Sequence, residues 1–158
     1  RFYYALMVPE LTAIRSEQST VRFASLVQRP AFLSWRGRAF EMVCTRHAPM
    51  IARALGFSGI EYSFGPYFRA PKPGRQGVQV DLLFDRADNV LTLCEMKYSR
   101  TPIGKAVVAE LEQKAALLQE TFPRKTIQTI LLYHGSTASS VAHSPYIHQT
   151  LDSSILFT

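Results

Sequence analysis

Residues 78–97 read Val78-Gln79-Val80-Asp81-Leu82-Leu83-Phe84-Asp85, then Arg86-Ala87-Asp88-Asn89, then Val90-Leu91-Thr92-Leu93-Cys94-Glu95-Met96-Lys97. Each half is a run of about eight mostly apolar residues with β-branched and aromatic members, and the middle is turn chemistry. The stretch therefore reads as two antiparallel strands. Side chains two apart on a strand share a face, so Glu95 and Lys97 continue the row that Leu91 and Leu93 begin. If the loop is the odd-length Ala87-Asp88-Asn89, Arg86 pairs with Val90, Leu83 with Leu93, and Asp81 falls opposite Glu95. Two carboxylates side by side repel by roughly 3 to 4 kcal/mol at an effective dielectric of about 20. A divalent cation between them removes that cost, and hard oxygen ligands suit Mg²⁺ or Mn²⁺. Lys97, one same-face position further on, is placed to polarise a water or steady a developing oxyanion.

The order Asp81, thirteen residues, Glu95-Met96-Lys97 resembles the PD-(D/E)XK nuclease signature, with Val80 where that signature has its proline, a departure that removes no ligand. A narrower resemblance joins Trp35-x-Gly37-x-x-Phe40-Glu41, Leu55-Gly56, Gln79-Val80-Asp81-Leu82-Leu83 and Cys94-Glu95-Met96-Lys97-Tyr98-Ser99. As an ordered set these are similar to the nuclease-like domain at the C-terminal end of archaeal-type AAA/STAND ATPases, over roughly residues 35–157. The resemblance implies an α/β fold with a restriction-endonuclease-like αβββαβ core, a mixed central sheet and flanking helices. It implies that Asp81 and Glu95 bind Mg²⁺ (or Mn²⁺) with the Met96 carbonyl, that Lys97 holds the attacking water or the phosphate, and that the helix residue Glu41 binds metal or orients water. The implied activity is metal-dependent hydrolysis of phosphodiester bonds in DNA, more than RNA. Junction resolvases of the superfamily act as dimers, so a homodimer is a possible state. No G-x-x-x-x-G-K-[ST] loop occurs in the chain, so any ATPase must lie in a missing N-terminal part.

The rest of the sequence is consistent with this frame. The chain of 158 residues suits one main domain with a sizeable core, and 47% hydrophobic with 19% charged residues excludes a disordered chain. A net charge of +6 favours polyanionic partners, nucleic acid before membrane. Cys44 and Cys94 have no metal spacing and read as reduced packing residues, a cytoplasmic usage. No run approaches 18 apolar residues, and no signal-peptide plan opens the chain.

In chain order, residues 2–28 hold two short helical candidates separated near Pro9 to Thr12, the second stopped by Pro30. Residues 1–34 are assigned to the end of a linker and 35–158 to the nuclease-like domain. A helix opens at Trp35 and runs to Leu55, is kinked or split by Pro49, and stops at Gly56. His47 on it reads as structural. Ile60 to Phe68 is the first strand, broken or bulged at Gly65-Pro66. The loop 69–77 carries Arg69, Lys72 and Arg75 with no acid, and is a candidate phosphate contact. After the hairpin, Thr101 reads as an N-cap and Pro102 as the first residue of a helix to Thr121, with Ile103, Val107, Leu111, Ala115 and Leu118 buried. Arg100 and Lys105 at its start are further candidate phosphate contacts, and Glu110 supports Lys114 at i, i+4. Thr126 to His134 is a buried parallel strand, 135–144 a mobile polar loop, 146–151 a last strand and 155–157 a closing piece that packs down. Two other readings remain: a catalytically weak or inactive nuclease-fold module that binds nucleic acid or regulates a signalling ATPase, and a structural charge cluster in an interaction domain.

Overall fold

The computed structural model describes residues 24–157, with Tyr4, Val8, Leu11 and Arg15 ahead of them. The first helical candidate and most of the second lie outside the described residues. Residues 24–26 are helical, but Pro30 opens the next helix instead of ending this one. Cα packing divides the chain between Phe40 and Glu41, inside helix α1 (Pro30–Arg46), and the sheet with its covering helices belongs to the second unit, Glu41–Thr158.

Pro49 divides the helical run as expected. α1 ends at Arg46, and α2 (Ala48–Ala54) begins with the proline in its first turn, where the missing N–H leaves no bond unmade. Gly56 closes α2 at φ 80°, with its N–H donating to the Arg53 carbonyl and the Phe57 N–H donating to that of Ala52.

Five strands follow in the spatial order of the sequence: β1 (Tyr62–Arg69), β2 (Val78–Arg86), β3 (Val90–Tyr98), β4 (Thr126–His134) and β5 (Gln149–Asp152). β1, β2 and β3 are mutually antiparallel, while β4 runs parallel to β3 and β5 parallel to β4. Helix α3 (Ala106–Thr121) crosses between β3 and β4, as a parallel connection requires. The result is a mixed α/β sheet flanked by helices, in the element order expected.

The hairpin register is the one that the loop length dictates. Leu83 faces Leu93, Leu82 faces Cys94, and the loop Ala87-Asp88-Asn89 turns through Asn89 at φ 64°. The ladder between β1 and β2 slips one residue between Gly65 and Tyr67, so Asp81 and Leu82 together oppose Pro66. Pro66 has no N–H to give, and it sits on the edge strand, where that is tolerated. The bulge on β2 changes the facing: Val78 and Val80 lie before it, and Leu83 after it, in one cluster with Leu91, Leu93, Val107, Leu111, Leu118 and Leu131. The opposite face carries Phe84, whose ring meets that of Phe57 edge-on at 5.2 Å. With both faces covered, β3 is buried from Leu91 to Met96.

Several expectations need correction: the first long helix opens at Pro30 and not at Trp35, and the last strand is Gln149–Asp152 and not 146–151. α3 begins at Ala106, not at Pro102, because Ile103 is held in an extended lead-in: its N–H donates to the Ser136 carbonyl at 2.9 Å, and its own carbonyl accepts from Ala138 at 3.0 Å. Residues 135–144 are correspondingly ordered, with a one-turn helix α4 (Ser139–Ala142) and a buried Val141. Gly135 belongs to this joint, since a Cβ there would lie 2.2 Å from the Ser99 carbonyl oxygen. In the closing 3-10 turn Ser153–Phe157, Leu156 packs down while Phe157 is exposed. Among the described residues no helix is long and apolar enough to cross a membrane.

Candidate active site

Asp81, Glu95, Met96, Lys97 and Glu41 line one open cleft of about 360 Å³, together with Gln79, Glu110 and Lys114. Each comes from a separate local cause. The bulge at Asp81-Leu82 ends the regular β2–β3 ladder at Leu82–Cys94, and beyond it the Asp81 carboxylate Oδ2 accepts from the Met96 backbone N–H at 3.4 Å. Glu95 and Lys97 sit two apart on β3, so both reach the face that α3 covers. Glu41 enters from the last turns of α1.

Glu95 is the only charged residue among the buried side chains described, at 2% exposure. A lone carboxylate at that depth is costly unless paired, and here each oxygen has an ammonium. Lys97 Nζ lies 2.7 Å from Oε1, and Lys114 Nζ lies 2.6 Å from Oε2. Glu110 completes a ring, with Oε2 at 2.9 Å from Lys97 and Oε1 at 2.9 Å from Lys114. Burial still pushes the Glu95 carboxyl above its ordinary value, against the bonds from Lys114 and Lys97, and the Asp81 charge adds to the rise. Glu110 is far more exposed. Its desolvation also acts upward, but the hydrogen bonds from Lys114 and Lys97 prevail and hold it at about 2. Both lysines are desolvated, which acts downward, yet their bonds to Glu95 and Glu110 carry both above the ordinary lysine value.

Four carboxylates against two ammoniums leave the cleft with two negative charges. Its donors, carboxylate oxygens beside the Met96 peptide, are hard ligands of the kind Mg²⁺ and Mn²⁺ prefer. Among the described residues no three His, Cys, Asp or Glu side chains are grouped to hold a metal ion.

None of the expected phosphate contacts Arg69, Lys72, Arg75, Arg100 and Lys105 lines this cleft. Arg69 is spent inside the fold: its guanidinium donates to the Leu117 carbonyl at 3.2 Å, to the Thr121 hydroxyl and to the Gln76 carbonyl at 3.0 Å. Arg75 also reaches the Thr121 hydroxyl, at 3.4 Å. Lys72 is exposed at a Pro73-Gly74 turn, with Gly74 at φ 75°. Arg100 is exposed ahead of α3, and Lys105, also exposed, is the N-cap residue of α3 without a side-chain capping bond. His47, expected to be structural, bonds the Val43 carbonyl through Nδ1 at 2.8 Å at the break between α1 and α2. Cys44 and Cys94 are buried and free, and desolvation raises both thiols, Cys44 to about 12.

Sequence reasoning missed Glu110 and Lys114 as members of the site. It saw their pairing along the helix, but the signal for the rest was their place beside Val107 and Leu111, at the border of the buried stripe.

No protein-family model and no curated protein matches the sequence. Solved structures similar in part include a crystallised protein of unknown function, AF1548, at 13% identity over 66% of this chain and 55% of that one, TM-score 0.48. Others are a repair endonuclease from Pyrococcus abyssi, at 16% identity over 69% and 42%, TM-score 0.45, and EndoMS in complex with double-stranded DNA, at 22% identity over 67% and 43%, TM-score 0.40. The chain thus spans about half the length of these proteins or less.

Proposed function

We propose that residues 35–158 form a metal-dependent nuclease domain that hydrolyses phosphodiester bonds in DNA, and that the domain belongs to a larger ATPase. The observation that carries the reading is the meeting of Asp81, Glu95 and Lys97 in one open cleft, with the Asp81 carboxylate anchored on the Met96 N–H. The ATPase context and the preference for DNA over RNA rest on the residue resemblance, and the charge of +6 favours a polyanion.

Asp81 and Glu95, with the Met96 carbonyl, are the residues that would hold Mg²⁺ or Mn²⁺. When bound, the cation supplies charge neutralisation at the phosphodiester and activates water for attack. Lys97 spends two of its three N–H donors on Glu95 and Glu110, and the third holds the attacking water or a phosphate oxygen. Glu41, on the cleft wall, binds the metal or orients water.

Replacing Asp81 or Lys97 by Ala should lower Mg²⁺-dependent cleavage of DNA by at least about a hundredfold, with the circular dichroism spectrum unchanged. Cleavage at the wild-type rate in either variant rejects these roles. One observation favours the second reading, a module with little hydrolysis: both Glu95 oxygens are already bonded to lysines. Calorimetry that detected DNA binding without cation binding would decide for it.

A further inference from the structure

The ring of Glu95, Lys97, Glu110 and Lys114 has a feature that two acids and one amine do not need. Glu95 would be neutralised by Lys97 alone, yet a second ammonium, from the helix facing the sheet, lies at 2.6 Å on the other oxygen. Of the two lysines Lys114 is the deeper, 16% exposed against 35% for Lys97. It also has an alternative partner one turn back on its own helix, Glu110 Oε1 at 2.9 Å. Lys97 bridges the same two carboxylates, 2.7 Å from Glu95 and 2.9 Å from Glu110, but from a position two residues along the strand that carries Glu95.

We infer that Lys114 is a tethered stand-in for the divalent cation: it holds the cation's place on Glu95 Oε2, and must withdraw to Glu110 before the cation can bind. A dication and an ammonium sharing one oxygen in a half-buried cleft repel strongly, so occupancy by one excludes the other. While Lys114 is in place, the buried carboxylate is never left unpaired, which answers the desolvation that an empty cation site would otherwise impose. Once withdrawn, the ammonium has donors available for an incoming phosphate oxygen, so cation and polyanion favour each other by linkage. Cation uptake then costs the loss of one ion pair, and the site is loaded most readily when nucleic acid is already present.

The inference rests on the proposed cation site, and the experiment separates the two. Mn²⁺ is titrated calorimetrically into the chain and into Lys114→Met, Lys114→Gln as a neutral polar variant, and Lys125→Met as a charge control that pairs with Asp85 near the turn end of the hairpin. Loss of the competitor should tighten Mn²⁺ binding by about tenfold or more in either Lys114 variant, and by less than about twofold in the control. A crystal soaked in Mn²⁺ should show Lys114 Nζ beyond hydrogen-bond distance of Glu95 and still on Glu110. Mn²⁺ on Asp81 and Glu95 with Lys114 unmoved, with Lys97 displaced instead, or with affinity unchanged in the Lys114 variants, overturns this inference and leaves the nuclease reading standing. Absence of Mn²⁺ binding from wild type and both Lys114 variants overturns both.

Discussion

The two ends of the central hairpin carry similar charges and use them differently. At the turn end, Arg86 lies 4.5 Å above the Phe57 ring, pairs with Asp88 and reaches Gln128 at 3.0 Å, while Lys125 pairs with Asp85. At the open end, Glu95, Glu110, Lys97 and Lys114 form the ring beside Asp81. A cleft lies at each end, and the larger, about 420 Å³ against about 360 Å³, is at the turn. What separates the two clefts is less their size than the burial of a carboxylate. Asp85 and Asp88 are 45% and 35% exposed, whereas Glu95 is 3% exposed by side chain. Exposed pairs gain little because water competes for both partners. The buried carboxylate is held by its two lysine neighbours.

Three experiments can break or sharpen that contrast. The largest expected effect is from Glu95→Ala, which leaves Lys97 and Lys114 facing a desolvated gap and should cost about 3 kcal/mol or more in urea unfolding. A loss under about 1 kcal/mol makes the two ends equivalent. Next is the pH dependence of stability. Glu110 is lowered from 4.5 to about 2, so its contribution is complete above pH 4.5 and lost as the pH falls toward 2. Glu95 is raised from 4.5, so the folded state holds its proton longer, and stability falls as the pH rises through that higher value. Thermal melts of Glu110→Gln should therefore lose part of the acid-side decline, and those of Glu95→Gln part of the decline above pH 4.5. Identical pH profiles for wild type and both variants would remove the electrostatic account of the ring. The smallest effect is at the turn: Asp88→Ala should cost less than about 1 kcal/mol and leave any cleavage activity as it was, a result checked by the same unfolding curves and a nuclease assay.

Much of this contrast was legible beforehand, for local reasons. A three-residue loop ending in Asn89 sets the register, and the register brings Asp81 toward Glu95. Pro49 had to divide its helix wherever the helix began, because no tertiary contact restores the missing N–H. The start of α3 was misread for the opposite reason. Thr101-Pro102 is a sound local start signal, overridden by the pairing of Ile103 with residues 136–138, which no local pattern announces. The basic loop shows another limit of composition: it marked Arg69 as a cation on a loop, and the structure ties that side chain to Leu117 and Thr121 at the end of α3.

By itself the sequence determined the hairpin, its register and the common face of Glu95 and Lys97, because period-two alternation and turn length are properties of neighbouring residues. The expectation of a nuclease cleft came from the same residues, through their order. Only the tertiary structure decided how deep Glu95 lies, that the bulge opposite Pro66 lets Val80 and Leu83 share one buried cluster, and that Glu110 and Lys114 close a ring over it. Those outcomes depend on where a helix thirteen or more residues downstream comes to rest against the sheet, and the packing of both faces of β3 settles that position.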